Sequence, residues 1–207
     1  MLLAGGAGSR FGALPKGLAR VDGERIADRA LRVLAAVTDR QCVVANDVAA
    51  AGWFPGLRIV ADDVAGLGPL AGLATALRAG DGDAVLVVAW DMPFVSVELL
   101  RALRAQGEGA GVSVVPVHGP HATLEPLCAY YRAGAAPLVE RLLRAGERRG
   151  RALHDALLPT CVTVLRAEAL GGMRATDHLF TSVDTVEALE ALGGTMPAGD
   201  MRPPTRR

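Results

Sequence analysis

The sequence predicts a three-layer α/β/α single domain with a mostly parallel sheet. Three observations predict it. Short Val, Leu and Ala runs alternate with amphipathic stretches, the rhythm of βα units. The chain is 51% apolar but only 4% aromatic, so its core is built from small aliphatic side chains. Each of the first four apolar runs also ends on a glycine or a polar residue, as happens where strand carboxyl ends share one binding rim.

The elements follow in order. MLLA opens the chain as a first strand. Residues 24–37, ERIADRALRVLAAV, set Ile26, Ala30, Leu31, Leu34 and Val37 on one helical face. QCVVA (41–45) and LRIVA (57–61) are the next strands. A helix follows at 69–79. AVLVVAW (84–90) is the most apolar strand, with a helix at 97–105 behind it. VSVVPV (112–117) is a fifth strand. TLEPLCAYY (123–131) is a sixth, with a poor start because Pro126 cannot donate to a ladder. Helices are predicted at 135–145 and 184–192. The domain is drawn as 1–195, and the Pro- and Arg-rich residues 196–207 as a disordered tail.

Composition excludes several classes. With 22 acidic and 22 basic residues the net charge is zero, which argues against a nucleic-acid partner. No apolar run approaches a membrane span, and MLLAGG does not read as a secretory signal. Cys42, Cys128 and Cys161 are far apart and fit no metal spacing, which predicts reduced core thiols and a cytoplasmic protein. The expected assembly is a monomer or weak homo-oligomer.

Candidate site residues stand at the strand ends. After the first strand comes Gly5-Gly6-Ala7-Gly8-Ser9-Arg10-Phe11-Gly12, then Lys16, the only lysine in the chain. An ammonium is a compact point charge suited to a phosphate oxygen, unlike the planar fork of arginine. The loop is neither a P-loop nor a dinucleotide fingerprint. It is either an ordinary turn or a cradle of backbone N–H groups for a triphosphate. After the second strand comes Asn46, the only asparagine. Asp62 and Asp63 follow the third, as a turn or as site residues. Asp91 follows the fourth, where a carboxylate needs a partner. A divalent cation, a helix cap and a salt bridge are the options. The Gly66–Gly72 stretch walls a ligand or makes a sharp connection. RAGERRGR (144–151) reads as a solvated helix end. His118 and His121 read as surface residues, and Trp53 and Trp90 as packing.

With these residues in place the chain resembles the molybdenum cofactor guanylyltransferases, within the wider family of single-domain nucleotidyltransferases and their Rossmann-like fold. The resemblance is carried by LAGG-x3-R-[MF]-G…K-G-L at 2–18, GPLAG at 66–72, WDMPF at 90–94, LEPLCAYYR at 124–132 and LLRAGERR at 142–149. It implies GMP transfer from GTP to the phosphate of molybdopterin, with Mg²⁺. Leu3, Ala4, Gly5 and Gly6 would line the nucleotide, and Lys16 with Arg10 would meet its phosphates. Asn46 and Asp62 would contact the guanosine part, and Asp91 would hold Mg²⁺ and nucleotide. Alternatives are a cytidylyl or other NTP transfer to molybdopterin, a sugar phosphate or a phospholactate, and a nucleotide-binding protein without turnover. The closing motif F-x-N-x-N-T-P-E-[ED]-L appears as Phe180–Leu189, with Ser182 and Asp184 in place of the two asparagines. Ser182 would weaken a metal site there, and Asp184 would compensate as a stronger oxygen ligand. The family's first strand is longer than Met1–Leu3, which predicts a start assigned too far downstream or a shortened chain.

Overall fold

A computed structural model describes residues 1–5, 15–63, 66–82, 84–119, 121, 123–147, 162–166 and 176–196. In its main sheet β1 (Leu2–Leu3) is an interior strand, flanked by β4 (Cys42–Val44) and β6 (Ala84–Ala89). Both neighbours run parallel to it, with Leu2 opposite Val43 and Val88. β5 (Arg58–Val60) lies parallel outside β4. Beyond β6 the sheet continues through β9 (Cys128–Arg132), β7 (Ser113–His118) and β10 (Val162–Arg166). β9 is antiparallel to both β6 and β7, and β10 is parallel to β7.

Strand residues alternate between two cores. Leu2, Val43, Leu86 and Val88 face one, against Ala27, Ala30 and Leu34 of α1 (Ile26–Ala35) and Leu99, Leu100 and Leu103 of α4 (Val97–Ala110). Leu3, Val44, Val85 and Val87 face the other, against Leu70, Leu73 and Leu77 of α3 (Pro69–Ala79) and Val139 of α5 (Ala136–Arg144). Burial on both faces is why these strands read as continuous apolar runs. The three predicted layers are therefore present.

Several boundaries differ from expectation. Glu24 and Arg25 are not helical. They form β3, paired antiparallel with β2 (Arg20–Val21). The turn between them, Asp22-Gly23, has φ of 52° and 78°. A two-residue Asp-Gly turn of that hand is a hairpin signal legible in the sequence. α4 continues five residues beyond 105, because Gly107 lets the helix lie flush on the Tyr130 ring, which any larger side chain would strike. It starts on Ser96, whose Oγ accepts from the Leu99 N–H, and ends on Gly111 at φ 68°. The predicted strand at 123–131 is broken. β8 (Thr123–Leu124) pairs only with β7, a turn closes from Cys128 N–H to Glu125 O, and β9 then starts afresh. Proline at 126 is the local cause. β10, the short helices α2 (Ala50–Trp53) and α6 (Thr176–Leu179), and the hairpin were not foreseen.

An early and a late segment of the chain meet in a third, smaller core. Ala19, Val21 and Ile26 pack there with Val183 and with Leu189 of α7 (Val186–Ala191), and Met196 covers its edge. Arg20 and Thr195 exchange both backbone hydrogen bonds at 2.8 Å. Packed structure thus reaches one residue into the segment expected to be a tail, and 197–207 lie outside the described residues.

Candidate active site

The strand order β5-β4-β1-β6 sets Asp62, Asn46, Gly5 and Asp91 at four adjacent carboxyl ends. All four strands are parallel, so these residues share one rim. The chain leaves β1, turns to β4 and β5 on one side and returns to β6 on the other. The rim therefore contains the topological switch point at which open α/β sheets bind ligands.

Backbone bonds fix the entrance to the glycine-rich loop. Ala4 N–H donates to Val44 O at 2.8 Å, and Leu3 O accepts from Trp90 N–H at 3.1 Å. Leu3 and Ala4 are buried, whereas Gly5 is exposed with open space around its Cα. Gly6 and Arg10 lie outside the described residues. The chain is described again at Pro15 and enters a 3-10 turn, Lys16–Leu18. Gly17 is pressed on the face of Trp90, where a methyl group would run into the ring. Trp90 in turn stacks on Trp53 with centroids 6.0 Å apart. Both tryptophans serve as packing, as expected.

This packing delivers Lys16 to a charged cluster. Its Nζ lies 2.6 Å from Asp184 Oδ1 and 3.8 Å from Asp91 Oδ2. Asp91 and Lys16 are 18% and 14% exposed, while Asp184 is 56% exposed. Burial pushes the Asp91 carboxyl up to about 6; the Lys16 ammonium opposes that rise and Asp184 adds to it. The closing segment is held over the cluster by Val183 N–H, which donates to Asp91 O at 2.9 Å. Ser182 Oγ donates to Asp184 Oδ2 at 3.1 Å, so the serine orients the carboxylate. Beyond Asp91, Arg29 of α1 donates to Pro93 O at 3.2 Å and secures the next turn.

Asn46 and Asp62 form a second unit. Asn46 Nδ2 donates to Asp62 Oδ2, and Asn46 Oδ1 accepts from Asp62 N–H, both at 2.8 Å. One side of the amide is thus committed to its neighbour. Asp62 Oδ1 is buried without a protein partner, an orphaned acceptor of the kind that calls for explanation. Asp63 points elsewhere and pairs with Arg78 at 2.5 Å. The loop that follows carries Gly66 and Gly68, both at φ 81°, which a side chain would strain.

His121 is exposed, as expected, but the surface reading of His118 needs correction. His118 is half-buried at the end of β7, with Nε2 2.8 Å from Glu125 Oε1 and its ring stacked on Phe180 at 4.6 Å. Burial raises the Glu125 carboxyl, and His118 opposes that rise. This pair extends the rim past Asp91. Glu125 was not singled out, because its contact with His118 is made only by the pairing of β8 with β7 and the turn at Pro126. Cys42 and Cys128 are buried free thiols, as expected. Among the described residues no three His, Cys, Asp or Glu gather into a metal cluster. No described helix is long and apolar enough to cross a membrane.

Comparison with known proteins bears on the family and the fold. A family model described as the MobA-like NTP transferase domain matches residues 1–161. A probable molybdenum cofactor guanylyltransferase of Pelotomaculum thermopropionicum is 41% identical over 145 residues, covering 70% of this chain and 68% of that protein. One from Chloroflexus aggregans is 38% identical over 161 residues, covering 76% of each. The crystal structure of molybdopterin-guanine dinucleotide biosynthesis protein A from Archaeoglobus fulgidus superposes with a TM-score of 0.75 at 28% identity, over 92% of this chain and 94% of that one. On sequence and fold together, this chain belongs to the MobA-like NTP transferase family.

Proposed function

We propose that the protein transfers GMP from GTP to the phosphate of molybdopterin, giving the guanine dinucleotide cofactor and pyrophosphate. Two of its relatives bear the name of that activity at 41% and 38% identity. The observation that carries the reading is the meeting of Lys16, Asp91 and Asp184 beside the exit of β1. One ammonium and two carboxylates stand together on the rim where Gly5 begins the glycine-rich stretch of the sequence.

An oxygen of the acceptor phosphate attacks the α-phosphorus in line. The bond from that phosphorus to the α–β bridging oxygen breaks, and pyrophosphate leaves with the electron pair. The acceptor is already an anion at neutral pH, so no side chain need remove a proton. The protein's part is positioning and charge neutralisation. Lys16 and, from its place in the sequence, Arg10 neutralise the leaving pyrophosphate. Gly5 and Gly6 offer backbone to the phosphates, with Leu3 and Ala4 beneath. The free Asp62 Oδ1 accepts from N–H donors of the guanosine part, with Asn46 holding the carboxylate in place.

The residues fit a divalent cation, taken here as Mg²⁺. Asp91 and Asp184 already converge on one positive charge, the Lys16 ammonium, which stands in for it. When bound, such an ion neutralises the phosphate charge that builds up on the leaving group.

A panel of the four NTPs with Mg²⁺, read as shifts in melting temperature, tests the nucleotide. GTP should give the largest shift. Pyrophosphate release with molybdopterin present tests turnover. A larger shift with CTP would move the reading to cytidylyl transfer, and no release with any NTP would end the enzyme reading.

A further inference from the structure

Lys16 sits where a cation ligated by both carboxylates would have to be. Its ammonium contacts Asp184 at 2.6 Å and lies 3.8 Å from Asp91. The three groups come from the turn after the glycine-rich loop, the end of β6 and the closing segment. Two of those parts are fixed by backbone, Gly17 against Trp90 and Val183 N–H on Asp91 O. A small divalent ion takes oxygen ligands at short range and competes for the same carboxylates. An ammonium and a divalent ion crowded between two carboxylates would repel each other strongly in this partly buried place. The ammonium must therefore leave when the metal arrives, and its flexible stem allows that.

We propose that Lys16 and the metal exchange places. In the empty protein Asp184 holds Lys16 against Asp91. The phosphates of an arriving nucleotide draw the ammonium off, and the cation takes over its contacts with the two carboxylates. Asp184 thus acts twice, first as the counter-charge that parks Lys16 and then as a metal ligand. Metal binds with or after nucleotide, never well before it. This inference rests on the nucleotidyltransferase reading above.

Because Lys16 is the only lysine, lysine labelled with ¹³C at Cε gives a single side-chain resonance. Millimolar Mg²⁺ alone should leave that resonance in place, whereas GTP should move it. In parallel, Mn²⁺ binding to the nucleotide-free protein is followed by the loss of its free EPR signal. Wild type should bind weakly. Lys16→Met should bind at least about ten-fold more tightly, since the competing charge is gone. Adding Asp184→Asn to that variant should remove the gain. Circular dichroism and melting check the fold, and Lys16→Gln replaces Lys16→Met if the latter fails to fold.

The proposal is overturned if Mg²⁺ alone moves the Lys16 resonance as far as GTP does. It is also overturned if the folded Lys16 variant binds Mn²⁺ no better than wild type, or if the gain survives Asp184→Asn. None of these measurements needs turnover. A protein that exchanges Lys16 for metal but transfers no GMP would refute the activity and leave the exchange standing.

Discussion

At the scale of single residues the site is a matter of charge placement. Lys16→Ala should cost roughly 3 kcal/mol in the transfer step, the scale for one preorganised charge donor. Lys16→Arg should also be poor, because a planar fork does not fit between two carboxylates spaced around an ammonium. Pyrophosphate release measures both. Asp91 gives a prediction in pH. Its carboxyl is raised to about 6 from 3.8, so ionising it costs more in the folded protein than in the unfolded chain. The contribution of Asp91 to stability should fall as pH rises through that window, by up to about 3 kcal/mol. Asp91→Asn removes the titration. Its apo melting temperature should therefore match wild type near pH 4 and exceed it near pH 8. A variant badly destabilised at both would show Asp91 to be a structural cap. Asn46→Ala should weaken GTP binding through Asp62, whose N–H and Oδ2 it holds. Calorimetry should show Asp62→Ala losing at least as much, and equal loss for all four nucleotides would reduce the pair to shaping the rim. The single lysine and single asparagine were legible as candidates from composition alone. That Asn46 acts on Asp62 was not, because their pairing spans two strands.

At the scale of elements, short turns matter more than their length suggests. The 3-10 turn at Lys16–Leu18 aims Lys16 only because Gly17 lies flat on Trp90. Gly17→Ala should destabilise the fold by about 1–3 kcal/mol, the cost of overpacking, and should depress transfer further by moving Lys16. Thermal melting together with pyrophosphate release would separate the two losses. The long helices were legible because their apolar faces repeat with the helical period, as in α1, where Ile26, Ala30 and Leu34 of the predicted face are buried. Ends set by tertiary contact were not. Gly107 reads as a helix breaker, yet α4 runs through it because Tyr130 needs the space. The hairpin at 20–25 was legible in Asp22-Gly23, but its strands are two residues each and leave no alternation to read.

At the scale of the whole molecule an early and a late segment support the site together. Val183 and Leu189 pack on Val21 and Ile26, directly after the turn that carries Lys16. Leu189→Ala removes a side chain that is 1% exposed and should cost about 2–5 kcal/mol. It should also lower kcat, although Leu189 is distant in sequence from every candidate site residue before Ser182. A loss of stability with kcat unchanged would show that the third core only braces the fold. Phe180 on His118 and Val183 on Asp91 tie the same closing segment to β7 and β6, so the late part of the chain completes the rim begun by the first five residues.

The sequence by itself determined the layers, the parallel strands and the rim. Apolar periodicity dictates which faces are buried, and parallel strands put their carboxyl ends on one side. It also determined the family, through motifs spread from Leu2 to Arg149. Tertiary structure alone decided which polar residues meet. Lys16 and Asp184 are separated by 168 positions, and no local pattern encodes their contact. It follows from sheet order and from the packing of Gly17 on Trp90 and of Val183 in the third core. Long-range pairing of charges is set by how elements stack, which is why the site residues could be read one by one but their partners could not.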